Sequence, residues 1–339
     1  MKISIIIPAF NEENTITNTI DEVEKYLINY SQCSWWEIVI VNDGSSDNTL
    51  AILQNYQKDR DWLRVEDLVV NTGRGAALRA GIDVASGDII VSLDADLSYA
   101  PYHIGKMVSC LVGKGADVVL ASAYCKEGTV KNVPLNRLWI SQLGNKVLSF
   151  MFNSNVTVLT CIVRAYRKDF IQKLDLHANN KNIHLEILYK AKIIGAKILE
   201  IPADMAWHSP KVDKDNKLVK RRSTLKLRKT SNSHFFFALL SRPGLVFIVP
   251  GFVLLLVSLS VFGLCLKSVI SEVFYGASLY QATRASMINA TPSWLSAMFT
   301  FVLSIQFFSL GFLTNQNKWN YEETYKTNNQ ILVELKKRQ

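Results

Sequence analysis

Through its first hundred residues the chain repeats one pattern. A short apolar run is followed by a cluster of polar and glycine residues, and then by a stretch of helical spacing. Residues 3 to 8 (Ile-Ser-Ile-Ile-Ile-Pro) run into Ala9-Phe10-Asn11-Glu12-Glu13. The segment that follows, to Tyr30, puts Ile16, Ile20, Val23 and Leu27 on one helical face. Glu37 to Val41 empties into Asn42-Asp43-Gly44-Ser45-Ser46-Asp47-Asn48-Thr49, ahead of a helix-like stretch from Leu50 to Tyr56. Asn71-Thr72-Gly73-Arg74-Gly75 opens another, Ala76 to Ala85, and an apolar run from Ile89 ends at Asp94. Strands alternating with helices predict an α/β fold, Rossmann-like, with a mostly parallel sheet flanked by helices. In such sheets the ligand crevice lies outside the carboxyl ends of the strands, so four polar clusters are expected to converge there.

Asp94-Ala95-Asp96 sits at the tip of one of these strands. Mg²⁺ typically takes one or two carboxylates and completes its shell with substrate phosphates and water. An Asp-x-Asp triplet arises about once by chance in a chain this long, so its placement after a buried strand carries the argument. The five cysteines show no Cys-x-x-Cys spacing and the five histidines no His-x-x-x-His pair. Zinc is therefore not expected, and the ion that fits is oxygen-loving Mg²⁺ or Mn²⁺. The odd cysteine count argues for reduced thiols.

Pro8-Ala9-Phe10-Asn11-Glu12, Val41-Asn42-Asp43-Gly44-Ser45-Ser46-Asp47, Asn71-Thr72-Gly73-Arg74-Gly75 and Asp94-Ala95-Asp96-Leu97-Ser98 together resemble the family 2 glycosyltransferases of GT-A fold. Within that family, order and spacing are similar to the polyprenyl-phosphate sugar synthases, of dolichol-phosphate mannose synthase and bactoprenol glucosyltransferase type. The match covers roughly residues 1 to 230. The resemblance implies an inverting, metal-dependent transfer from a UDP- or GDP-sugar to an undecaprenyl- or dolichyl-type phosphate. It implies nucleotide-sugar contacts from Pro8, Phe10, Asn11, Glu12, Asp43, Asn71, Gly73, Arg74 and Asp94. Asp94 and Asp96 are the metal candidates, with Asp96 catalytic, and glycines near Arg74 let the backbone approach the ligand.

The acceptor side also has candidates. A lipid phosphate has a second pKa near 6, so it arrives mostly as a dianion and needs no strong base. A hydroxyl acceptor would need a carboxylate base. The stretch from Asn136 to Asn145 resembles the family's helix contacting the acceptor phosphate. Arg137 and Ser141, one helical turn apart, share a face there. Arg164, in an Arg-x-Tyr-Arg strand ending, and Arg221, Arg222 and Ser223 complete the expected acceptor-phosphate set. Glu186 is expected near a helix start as a base or as the group orienting Arg137, and is counted with Asp96 and Arg137 as catalytic. The chain departs from the family pattern at Ala123, where an Arg is usual, and at Val158, where an acid is usual.

Beyond residue 230 the composition changes. Twenty-four uncharged residues separate Arg242 from Lys267, and 33 separate Arg284 from Lys318. A span needs about 20 predominantly apolar residues, so transmembrane helices are expected over about 244–266 and 294–313. The expected organisation is a catalytic domain over 1–230, a membrane region over 231–317 as a two-helix hairpin, and a basic tail over 318–339. Lys211 to Lys229 holds nine Lys or Arg against two Asp. Basic flanks stay cytoplasmic, which places the catalytic domain and the C-terminus there. The first strand begins at residue 3, so no signal peptide is expected. The basic stretch reads as attraction to anionic headgroups rather than to nucleic acid, since an apolar span follows it closely. Self-association through the hairpin is a further expectation.

Two other readings stand beside the main one. One is a family 2 enzyme that elongates a glycan or lipid-linked saccharide at a hydroxyl. The other is a nonenzymatic membrane scaffold with a degenerate transferase fold, against which Asp43, Asp94 and Asp96 argue.

Overall fold

The computed structural model describes residues 1–152, 155–207 and 242–338. The chain divides into two compact units, one of residues 1–237 with 328–339 and the other of residues 238–327.

The first unit is built on a seven-stranded sheet. Its strands are β1 (Lys2–Ala9), β2 (Trp35–Asn42), β3 (Leu63–Asp67), β4 (Ile89–Ser92), β5 (Val118–Ser122), β7 (Arg164–Arg167) and β8 (Ile198–Pro202), in the order β3-β2-β1-β4-β7-β5-β8. All pairings are parallel except those of β7, which runs antiparallel between β4 and β5. A parallel two-stranded ribbon joins β6 (Thr129–Lys131) to β9 (Asp204–Ala206).

Helices cover both faces, as buried parallel strands require. Ile3, Ile5 and Ile7 of β1 point to one core with Ile16, Ile20, Val23 and Leu27 of α1 (Ile16–Ile28) and Ile104, Met107 and Val108 of α4 (His103–Gly113). Ile6 points to the other, against Ala77, Leu78 and Ile82 of α3 (Arg74–Val84) and Leu185 and Leu188 of α7 (Ile183–Ile193). Helices α2 (Thr49–Gln57), α5 (Leu135–Phe152) and α6 (Lys168–Ile171) complete the unit. The strand order reverses at β1, which lies between β2 and β4. The ends of β1, β2 and β4 deliver Ala9, Asn42 and, one residue past Leu93, Asp94 to the crevice that such a switch point opens.

The second unit contains α8 (Pro243–Phe274), α9 (Leu279–Asn289) and the start of α10 (Thr291–Arg338). Gly244–Phe274 and Thr291–Leu332 are long and apolar enough to cross a membrane. Their apolar side chains, such as Phe252, Leu256, Leu259, Phe299, Val302 and Phe312, are largely exposed, which separates them from soluble core helices. Small and aromatic residues knit the pair. Ser258 donates to the Ala297 carbonyl at 2.8 Å, and Phe262 meets Trp294 edge-on at 5.6 Å. The turn expected between the spans contains α9, whose first turn is closed by a Ser278/Gln281 capping box.

Candidate active site

Side chains from each loop at the strand ends fasten the next. Asn11, at φ +56°, accepts from the Ser46 amide at 2.8 Å, and its own amide donates to Ser45 Oγ at 3.0 Å. The Glu12 amide donates to Thr49 Oγ1 at 2.8 Å, and Thr15 Oγ1 donates to the Glu12 carboxylate at 2.5 Å. The first loop is thereby sewn to the second, with Pro8 half-buried and Phe10 exposed at the rim. Asp43 is buried and sews the second to the third: its Oδ1 accepts from the Thr72 amide at 2.9 Å and the Gly73 amide at 3.0 Å. Asn71 lies exposed at the start of that third loop.

The third loop needs its glycines for a reason the sequence does not show. Gly73 has φ +110°, and a Cβ on it would stand 2.5 Å from the Asn179 carbonyl oxygen. A Cβ on Gly75 would stand 2.2 Å from that of Ala178. The close approach is made by the chain's own 178–180 backbone, where a ligand's approach is expected from the sequence. The Gly75 and Ala76 amides donate to the Asn179 carbonyl at 2.7 and 3.2 Å, so this segment satisfies amides at the start of α3.

Residues 175–182 are a further part of the site. Arg79 donates to the Leu176 carbonyl at 2.8 Å and to the Asn179 side chain. Glu186 accepts from the His177 amide at 3.0 Å and the Ala178 amide at 2.8 Å, and pairs with Lys190 at 2.7 Å. Lys190 also holds the Asp175 carbonyl. Glu186 is buried and paired with Lys190, so the expectation of a base or an Arg137-orienting group gives way to a role in shaping this segment. Arg164 also departs from the expected acceptor-phosphate role. It is fully buried, and its guanidinium donates to the carbonyls of Cys161, His184 and Leu159 at 2.7, 3.0 and 2.6 Å. It ties β7 to α7 from inside and is sealed from an acceptor.

Asp94 lies 3.2 Å from Arg74 Nη1, and Asp96 Oδ1 accepts from the Ser98 amide and hydroxyl at 3.0 and 2.7 Å. Behind Asp94 stands a neutral wall. Burial and the Asp94 charge push the Cys161 thiol up to about 11, and burial and the Cys161 contact hold the Tyr99 hydroxyl far above its ordinary range. Lys181, on the 175–182 segment, joins this group. Desolvation and the positive charges of Arg74 and Arg137 lower its pKa, while Asp94 raises it. Neither the segment nor its lysine follows from hydrophobic period or motif; the only signal is a polar Asn-Asn-Lys-Asn run before a helix. His184 is buried next to it, and neither of its ring nitrogens finds a hydrogen-bond partner among the described residues. Its pKa is held well below the ordinary value by burial and then by Arg164, Arg74 and Lys181.

The helix α5 carries the remaining expected residues. Arg137 lies over the Trp207 ring at 4.3 Å, and Ser141 Oγ accepts from the Tyr124 hydroxyl at 2.9 Å. Ala123 and Val158 are buried. Glu200 of β8 takes the Thr157 and Val158 amides at 3.0 and 3.1 Å, so an acid does reach this place, from another strand. Arg221, Arg222 and Ser223 lie outside the described residues.

An α/β sheet with paired aspartates, cations and sewn loops at its switch point defines the GT-A class of sugar-transferring enzymes. The glucosyl-3-phosphoglycerate synthase from Mycobacterium tuberculosis, solved with Mn²⁺ and UDP among other ligands, matches with a TM-score of 0.52 at 20% identity, over 71% of this chain and 79% of that one. The family model described as "Glycosyl transferase family 2" matches residues 4–175. Curated relatives include a polyprenol monophosphomannose synthase from Mycolicibacterium smegmatis, 30% identical over 58% of this chain and 75% of the relative. An undecaprenyl-phosphate 4-deoxy-4-formamido-L-arabinose transferase from Yersinia pestis is 31% identical over 55% of each chain. A dolichol-phosphate mannosyltransferase from Pyrococcus furiosus is 31% identical over 60% of this chain and 56% of the relative. The chain spans three quarters of the first relative and just over half of the other two. The chain belongs to glycosyl transferase family 2 and is a glycosyltransferase.

Proposed function

We propose that this enzyme transfers a sugar from a UDP- or GDP-sugar to a polyprenyl phosphate at the cytoplasmic face of a membrane, with inversion. The observation that carries the reading is the charge at the crevice: Arg74 pairs with Asp94 at 3.2 Å and Lys181 feels the charges of Arg74, Asp94 and Arg137, while the nearby carboxylate Glu186 is buried and paired. Among the described residues, a site with cations beside Asp94 and with Glu186 already paired suits an acceptor that arrives as a phosphate dianion. The names of all three relatives point to polyprenyl-phosphate chemistry.

In this reading Pro8, Phe10, Asn11, Glu12, Asp43 and Asn71 shape the nucleotide pocket, Asp43 by holding the Thr72–Gly73 turn. An acceptor phosphate oxygen attacks the anomeric carbon, the bond to the donor's β-phosphate oxygen breaks, and a nucleoside diphosphate leaves. One in-line displacement inverts the centre. Arg74 and Lys181 balance charge that grows on the leaving diphosphate. Arg137, oriented by Trp207, and Ser141, oriented by Tyr124, hold the acceptor phosphate, with Arg221, Arg222 and Ser223 proposed to assist.

The donor set fits Mg²⁺ or Mn²⁺. It consists of two carboxylates two residues apart, and among the described residues no group of three or more His, Cys, Asp or Glu offers a closed metal cage. Asp94 and Asp96 would hold the ion, which supplies Lewis-acid neutralisation of the diphosphate. The chain is proposed to be anchored by Gly244–Phe274 and the apolar part of Thr291–Leu332, with the hairpin as the route to self-association.

Product linkage tests the acceptor. Mild acid frees the transferred sugar of a glycosyl phosphodiester as a monosaccharide, whereas a sugar joined to a hydroxyl stays attached to its neighbouring sugar. Label recovered in an acid-stable product or an oligosaccharide would replace this reading with the hydroxyl-elongating enzyme.

A further inference from the structure

The loop that carries Asp94 and Asp96 contains a strained leucine. Leu97 has φ +51°, in the left-handed region that L side chains rarely adopt. Such a conformation persists where its neighbours over-determine it. Part of the bracing comes from β9. The Ala206 amide donates to the Ser98 carbonyl at 2.9 Å, and Met205 forms an antiparallel bridge with Tyr99. Ser98 in turn donates to Asp96 through both its amide and its hydroxyl. On its other edge β9 pairs with β6, Met205 opposite Val130.

Strand β9 is pinned where it begins. The Asp204 carboxylate accepts from Thr129 Oγ1 at 2.5 Å and from the Tyr102 hydroxyl, and these two bonds hold its carboxyl below the ordinary range. The Asp204 amide donates to His103 Nε2 at 3.0 Å. The proton of that ring is therefore on Nδ1, which faces the Ala100 carbonyl at 2.9 Å.

One residue past the strand stands Trp207. Its amide donates to the Lys131 carbonyl at 2.9 Å, and the Arg137 guanidinium lies over its ring at 4.3 Å. Neighbouring residues thus meet the two halves of the site: Ala206 holds the loop of Asp96, and Trp207 seats Arg137.

We propose that β9 is a strut that registers the donor loop against the acceptor side, with Trp207 the positioning residue for Arg137 and Asp204 the pin of the strut. Metal and nucleotide at the Asp94–Asp96 loop then act through Ser98 and Ala206 on the place where Arg137 meets a phosphate. The proposal rests on the acceptor reading above for the role of Arg137, and one arm of its test does not need that reading.

The first arm is kinetic, on the full chain in detergent with a polyprenyl phosphate. Trp207→Leu is expected to raise the acceptor KM about three- to tenfold while donor KM and kcat hold, and Trp207→Phe should keep most of the wild-type value. In an Arg137→Leu background, Trp207→Leu should add nothing to the acceptor KM. Full additivity there, or a lower kcat and thermal midpoint at unchanged KM, would overturn the positioning role. The second arm reads emission that depends on Trp207, taken as the difference between wild type and Trp207→Phe. Saturating Mg²⁺ with UDP or with GDP, whichever calorimetry shows to bind, is expected to change that emission in the wild type. The change should be lost in Asp204→Asn and reduced in Tyr102→Phe, which keeps the carboxylate and removes one bond to it. No change on nucleotide binding, or an equal change in both variants, overturns the strut. A change that follows this pattern without any lipid transfer would keep the strut and sink the acceptor reading.

Discussion

Lys181 is the residue that most changes the picture of the site. Burial, then Arg74 and Arg137, lower its pKa while Asp94 raises it, and in the proposed reaction it would face the charge of the departing diphosphate. Lys181→Met should reduce kcat/KM by about 10- to 100-fold with little change in thermal stability, and Lys181→Arg should restore part of it. A drop in stability without a kinetic defect would make it structural. Arg164 predicts the opposite split. Arg164→Met removes the guanidinium donor from the buried Cys161 and Leu159 carbonyls, at about 1–3 kcal/mol each, and a second donor from the His184 carbonyl, so the thermal midpoint should fall by about 10 °C or more while the acceptor KM of the folded fraction stays the same. The histidines give a pH signature. His184 and His103 both have folded pKa values below the ordinary one, chiefly through burial. The unfolded chain therefore binds their protons first, and stability present above about pH 6.5 is lost as pH falls below it, at up to about 1.4 kcal/mol per pH unit for each. Thermal midpoints between pH 7.5 and 5.5 should fall, and His184→Phe should flatten the slope. An unchanged slope in that variant would remove His184 from the account.

At the scale of elements, period and turn chemistry were good guides where structure is local. The runs at 3–8, 37–41 and 89–93 and the α1 stripe appear almost as spaced in the sequence. Three things escaped. For β7, the expected Arg-x-Tyr-Arg strand ending, the antiparallel place between β4 and β5 escaped, because it depends on long-range pairing. Helix α9 is too polar to stand out, although Ser278-x-x-Gln281 is its start signal. The 175–182 segment is held by Arg79, Gly75 and Ala76 from about a hundred residues away. Asp43, Asp94 and Asp96 were legible as strand-end residues because each follows an apolar run. Glu186 and Arg164 were misplaced because sequence cannot distinguish an inward-facing charge from an outward one. The packing of the 178–180 backbone onto α3 predicts that Gly75→Ala costs more than about 1 kcal/mol and weakens nucleotide binding. Gly113→Ala, with open space at its Cβ, should be neutral or slightly stabilising. Equal effects in thermal unfolding would refute the close approach.

At the scale of the whole molecule, the chain joins a family 2 catalytic unit to a unit whose two long helices expose their apolar side chains. Proposed function follows from that union: soluble nucleotide-sugar on one side, a lipid-borne phosphate on the other. Chelation should abolish activity, and Mg²⁺ or Mn²⁺ should restore it while Zn²⁺ does not; full activity in excess chelator would remove the ion from Asp94 and Asp96. The most direct measurement is a transfer assay on the purified full chain in detergent, with radiolabelled UDP- and GDP-sugars, a polyprenyl phosphate and Mg²⁺, run beside Asp96→Ala. The account predicts label in the chloroform phase from one donor, lost in the variant. Donor turnover with no labelled lipid, or lipid labelling that survives without Asp96, would contradict it.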